Sequence, residues 1–155
     1  SCKESIEIMP IKTFRAKMAL FTQDTISLHT NNGSTGYRIK KFEIIPEAPG
    51  GSSSVEHVLK IYSVAQTGTP DATVDMSDNT LLAVAYLENR ANASSATNII
   101  IFDNMVFNQD IYVTAADTDG SATVPANYYI ELEQVKLDLN ENTVATLKDI
   151  RNQSV

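Results

Sequence analysis

The stretch Asn127-Tyr-Tyr-Ile-Glu-Leu-Glu-Gln-Val-Lys-Leu-Asp-Leu139 limits the possible folds more than any other part of the chain. It holds no Gly or Pro and is rich in β-forming side chains, so it reads as one long strand. Ile130 and Leu132 share one parity, whereas Val135, Leu137 and Leu139 share the other. A period-2 element keeps one buried face through such a slip only if an extra residue is inserted. The slip therefore predicts a bulge near Glu133-Gln134. Tyr37 to Ile45 slips in the same way, from Ile39 to Phe42 and Ile44, which predicts a second bulge at Lys40-Lys41.

The remaining segments extend this pattern. Residues 1–13 read as an extended N-terminal arm carrying Ile6, Ile8 and Ile11, with Pro10 interrupting any sheet pairing there. Residues 14–155 read as a single β-domain. Phe14 to His29 reads as a strand pair, and Asn32-Gly33 suits a hairpin turn. Val55 to Ala65 is a strand, and Leu81 to Leu87 is apolar on both parities, as expected for a strand buried on both faces. Short strands follow at Ile99–Phe102, Met105–Phe107 and Ile111–Ala115. Residues 46–54, 66–80 and 89–98 read as loops by composition. Residues 142–151 fit either a short helix or a strand, and both readings stand. Eight or nine short strands with turn chemistry between them predict an all-β antiparallel β-sandwich, with the jelly roll as one arrangement.

Composition narrows the partners. A chain of 155 residues with net charge −7 offers no clustered cationic surface for a phosphate backbone beyond Arg38, Lys40 and Lys41, so nucleic acid is not an expected partner. No apolar run approaches the ~20 residues of a spanning helix, so no membrane is expected either. The first residues mix charges with isoleucines and lack the apolar block of a signal peptide. Cys2 is the single cysteine, which rules out an intrachain disulfide and a Cys-based zinc site.

No constellation in the sequence announces catalysis, and no cofactor is expected. His29 and His57 lack metal-site spacing and read as histidines at strand ends. Asp117-Thr-Asp-Gly120 resembles part of a calcium loop, but the twelfth position is Tyr128 rather than a bidentate Glu. Asp71, Asp75 and Asp78 are spare carboxylates in the 66–80 loop. Glu131 and Glu133 lie on one face of one strand, about 7 Å apart. They cannot oppose each other across a sugar as a glycosidase pair must. They fit a solvated or subunit-facing surface instead. Tyr128 and Tyr129 suit an interface, where tyrosine is enriched. Together with Ile6, Ile8 and Ile11, which could add main-chain hydrogen bonds to a neighbour's sheet edge, these four residues are the expected assembly contacts.

Three segments carry a likeness to known proteins. Val106-Phe-Asn-Gln-Asp-Ile-Tyr-Val-Thr114, Asn127 to Leu137 and Thr143-Val-Ala-Thr-Leu-Lys-Asp-Ile-Arg-Asn152 resemble virion structural proteins of tailed bacteriophages, marine ones above all. The resemblance covers residues 80–155 in texture and transfers no catalytic residue. It implies a capsid decoration (cement) protein made in the host cytoplasm and carried on the capsid surface. The implied partners are the major capsid protein and further copies of the chain as a homo-oligomer. A carbohydrate- or receptor-binding module of a tail or fibre is the alternative that the tyrosines and long loops suggest.

Overall fold

The computed structural model describes residues 10–28, 33–51, 54–91, 93–102 and 105–137. Ile6, Ile8, His29 and the segment 142–151 lie outside the described residues. Among the described residues the fold is all-β. The strands are β1 (Ile11–Met18), β2 (Thr22–Ile26), β3 (Thr35–Pro46), β4 (Val55–Tyr62), β5 (Leu81–Arg90), β6 (Ala93–Ile100), β7 (Ile111–Asp117) and β8 (Ala126–Lys136). They form two antiparallel sheets packed together, one ordered β1-β8-β3 and the other β2-β7-β4-β5-β6. This is the expected β-sandwich.

The pairing is nested: β1 with β8, β2 with β7, β4 with β5. That is the winding of a jelly roll. The strands β3 and β6 close the last corner without a ladder, through a side-chain bond from Asn98 Nδ2 to the Phe42 carbonyl at 2.8 Å. The residues at 14–28 are thus two strands in different sheets rather than a pair. Ile11, Lys12 and Thr13, expected in the arm, belong to β1, where the β8 ladder takes them up directly after Pro10. The chain crosses between the sheets at Ala19–Phe21, where Phe21 takes φ +61° and donates its N–H to the Ala115 carbonyl.

Alternation sets the core. On β8, Ala126, Tyr128, Ile130 and Leu132 point inward, opposite Met18, Ala16, Phe14 and Lys12 of β1. Ile130 and Leu132 are fully buried, as are Leu59 and Ile61 of β4 and Ile111 and Val113 of β7 across the layer. Each such side chain contributes ~1.5–3 kcal/mol relative to exposure.

One predicted bulge is present and the other is not. The register of β3 against β8 shifts by one between Ile39 and Lys41, so Lys40 is the inserted residue. The insertion turns Lys40 and Lys41 outward together, while Ile39 and Phe42 both face the core at 1% exposure. No shift occurs at Glu133-Gln134: β8 runs in one register against both neighbours there. Its change of parity is resolved by termination instead. The strand ends at Lys136, and Leu137 is buried beyond it, donating its N–H to the Ser34 carbonyl.

Leu137 folds over Gly36, which explains that glycine. A Cβ at position 36 would lie 2.5 Å from Val106 Cγ1 and 3.1 Å from Leu137 Cδ2. Gly36→Ala is expected to lower stability by ~1–3 kcal/mol through overpacking, read as a drop in the urea midpoint. Gly120→Ala, with open space around it, serves as the unaffected control.

Two loops differ from expectation. Residues 93–100 are strand β6 rather than loop, held by the β5 ladder despite their small side chains. The ladder wins because β5 is a long, well-formed template, and propensity is a weak prior on an edge. Met105–Phe107 is not a strand; it contributes a single bridge from Phe107 to Tyr37. The 66–80 segment is a loop, as expected. It covers the outer face of β4 and β5, where Ala72 packs on a second apolar cluster of Val58, Tyr62, Leu81 and Val84.

Candidate functional site

The three-stranded sheet has one buried face and one open face. Parity on β8 places Asn127, Tyr129, Glu131 and Glu133 on the open side. Their neighbours are Ile11, Thr13, Arg15 and Lys17 on β1, and Arg38, Lys41, Glu43 and Ile45 on β3. Of the seven expected assembly residues, Ile11, Tyr129, Glu131 and Glu133 therefore share one surface. Tyr128 does not: it is 6% exposed and its hydroxyl donates across the layers to Asp24 Oδ2 at 3.2 Å. Tyr128 is a tie between the two sheets. Burial, and then the Asp24 carboxylate, push its phenol well above the usual tyrosine range.

Most charges on this face are internally paired. Glu133 receives Lys40 Nζ at 3.0 Å and Arg38 Nη2 at 3.3 Å. The bond from Lys40, assisted by Arg38, holds the Glu133 carboxyl below the usual range. Alternation makes this bridge, because Arg38 and Lys40 share a face of β3, and the bulge then adds Lys41 to the same side. Lys41 reaches Glu43 at 3.8 Å and Lys17 reaches Glu47 at 3.1 Å. The Tyr129 hydroxyl donates to Glu131 Oε1 at 2.7 Å, and that bond raises the phenol's pKa. The two glutamates thus serve separate partners, not a shared reacting centre. The basic trio singled out in the sequence is spent on carboxylates rather than displayed to an anion.

Beside this lattice lies a groove of about 590 Å³, formed by Arg15, Lys17, Glu43, Ile45, Asn127 and Tyr129 along with backbone of the inward residues. Ile45 is 58% exposed and Ile11 50% exposed on the same face. Arg15 meets no carboxylate among the described residues. The groove thus brings together Arg15, Tyr129 and the exposed Ile45, and arginine and tyrosine are residue types enriched at protein contacts.

A second, polar cleft of about 250 Å³ lies on the opposite side of the sandwich, between β4, β7 and the 66–80 loop. Lys60, only 4% exposed, donates to the Thr73 carbonyl at 2.7 Å and stands 3.5 Å from Asp71 Oδ1. It fastens the loop to the sheet. The loop's aspartates cap their own turns: Asp71 accepts from Thr73 N–H, Asp75 from Ser77 N–H and hydroxyl, Asp78 from Thr80 N–H and hydroxyl. Among the described residues no three His, Cys, Asp or Glu side chains gather as a metal site would require.

His57 is the residue that sequence reading placed wrongly. It is fully buried, and its Nδ1 lies 3.0 Å from Asp117 Oδ2. The same carboxylate accepts the Glu56 N–H at 2.9 Å and, through Oδ1, the Asp119 N–H at 2.8 Å. Asp117 is therefore a structural acceptor. The only cue available in sequence was that β4 and β7 are both apolar enough to be central strands, so that polar residues on them must find each other. Burial lowers the His57 pKa, against the opposing pull of Asp117 and the Pro125 carbonyl.

Among the described residues no helix is long and apolar enough to cross a membrane. No protein-family model matches the chain, and no curated protein and no solved structure matches it either.

Proposed function

We propose that this chain is a non-enzymatic structural protein of a virion, a decoration (cement) protein that binds and stabilises a capsid through the open face of its three-stranded sheet. The single observation that carries the reading is that face: its charges are paired among themselves, and Arg15, Tyr129 and the exposed Ile45 stand around a groove. The exposed apolar and aromatic groups gain by burial on contact. The likeness of residues 106–114, 127–137 and 143–152 to tailed-phage virion proteins supplies the setting, with the major capsid protein as the partner. The jelly-roll winding serves viral capsid and lectin domains alike, so it does not choose between functions.

The test is binding of the purified protein to expanded capsids, followed by cosedimentation at increasing concentration. Saturation at a fixed stoichiometry is expected, and Tyr129→Ala is expected to weaken binding by about thirtyfold, the loss of a hot-spot tyrosine. Absence of the protein from purified particles, or capsid binding indifferent to Tyr129, would reject the reading. A second reading, a carbohydrate- or receptor-binding module of a tail, draws on the polar cleft at Lys60. A glycan captured on an array in the presence of Ca²⁺, and lost with Lys60→Met, would favour it over the first.

A further inference from the structure

Charge is segregated between the two sheets. The strands β1, β3 and β8 carry seven Lys and Arg against three Glu. The loop between β4 and β5 carries Asp71, Asp75 and Asp78 and no basic residue at all. A chain with net charge −7 therefore shows one basic sheet and an acidic opposite side. Two such three-stranded faces brought together would oppose like charges, which disfavours a symmetric dimer through that surface.

Exposed apolar side chains stand on both sides, with Ile99 on the β6 edge besides. Ile11 and Ile45 stand on the open face of the three-stranded sheet, whereas Val74 and Met76, 40% and 54% exposed, stand at the tip of the acidic loop. Asp75 sits between them. Its carboxylate is held by the Ser77 N–H and hydroxyl, which lower its pKa and fix the turn, and no cation lies against it among the described residues. The loop tip thus presents apolar, acidic, apolar in succession. The groove presents Ile45 and Tyr129 beside Arg15, which meets no carboxylate among the described residues.

We propose that the groove of one copy seats the Val74–Met76 loop tip of a second copy, with Asp75 meeting Arg15 and the flanking side chains covering Ile45. The inference rests on the open face being a contact face, as proposed above; it gives the groove at Arg15 and Ile45 to a second copy and leaves the rest of that face to the capsid. Groove and loop lie on opposite sides of the sandwich, so one molecule cannot satisfy both. The contact is heterologous, head to tail, and it builds a closed ring or an open row according to the rotation between copies. On a particle, such contacts tie adjacent copies to one another.

The experiment is sedimentation velocity on the full chain from micromolar to hundred-micromolar concentration, in low and high salt. The wild type is expected to associate, and about tenfold more weakly in high salt, as screened opposite charges require. Arg15→Glu and Asp75→Lys are each expected to be monomeric, with unchanged melting curves. Mixed together they are expected to associate again, because the intact groove of one meets the intact loop of the other and the two reversed charges complement each other at the alternate contact. Met76→Lys replaces Asp75→Lys if loss of the turn acceptor unfolds the latter. A wild type that stays monomeric throughout, or variants that associate alone, or a mixture that does not pair, overturns the inference. Capsid binding that is retained by a monomeric wild type, and lost with Tyr129→Ala, would overturn it while leaving the proposed function standing.

Discussion

Phe42→Ala is expected to lower stability by ~3–5 kcal/mol, whereas deletion of Lys40 leaves the protein folded. Lys40 is the extra residue of the bulge, with no partner of its own on β8. Without it Ile39 and Lys41 become neighbours, as their partners Leu132 and Glu131 already are, so an unbroken ladder keeps Tyr37, Ile39, Phe42 and Ile44 on the core face. Phe42 is 1% exposed, and its truncation loses both the buried surface and the packing around the cavity it leaves. Circular dichroism during urea titration provides the measurement; a deletion variant without a cooperative transition, or a Phe42→Ala midpoint near the parent's, would refute the role given to the bulge. Lys40→Ala removes only one partly exposed arm of the bridge to Glu133 and is expected to move the midpoint little.

Asp117→Ala is expected to be the most damaging single substitution of a polar residue, at ~3–5 kcal/mol. It strips the acceptor from the Glu56 and Asp119 N–H groups and from the His57 ring at once, in a place water does not reach. Asp117→Asn keeps one acceptor oxygen and is expected to fall between. The same site makes stability depend on pH. The folded chain holds His57 with a lowered pKa, chiefly because it is buried. The unfolded chain protonates it near the ordinary value of about 6.5. The unfolded state therefore binds the extra proton as the pH falls below about 6.5, and stability is lost in that direction. The urea midpoint is expected to decline from pH 7.5 to 5.5, and His57→Gln to flatten that decline. The chain has two histidines, so the difference between parent and variant isolates His57 from His29. An identical slope in both would refute the assignment.

The parity of apolar residues made most of the architecture legible. The strands at 37–45, 55–62, 81–87, 111–115 and 127–136 were each visible as alternation or as a doubly buried run. The slip around Lys40 was visible as a bulge, because Ile39 and Phe42 cannot share a face in an unbroken strand. The matching slip around Glu133 had two solutions in sequence, an insertion or an end to the strand, and parity cannot separate them. β6 was illegible because Ala, Ser, Thr and Asn at 93–98 carry no alternation, and only the free edge of β5 makes them a strand. His57 was misplaced for a related reason: its acceptor stands sixty residues away on β7, and nothing local to either residue announces the pair.

By itself, then, the sequence determined an all-β chain, its strand spacing, and a β8 surface carrying Tyr129, Glu131 and Glu133 on one side. These depend on the two-residue period of the backbone, which is local. Only the tertiary structure decided which sheet each strand joins, that Tyr128 turns inward to Asp24, and that Lys40 and Arg38 converge on Glu133. It also decided that the basic strands gather in one sheet while the aspartates of the 66–80 loop stand behind the other. Those outcomes depend on strand order and register between segments far apart in the chain, where hydrogen-bond pairing and the shared core choose among arrangements that local alternation leaves equivalent.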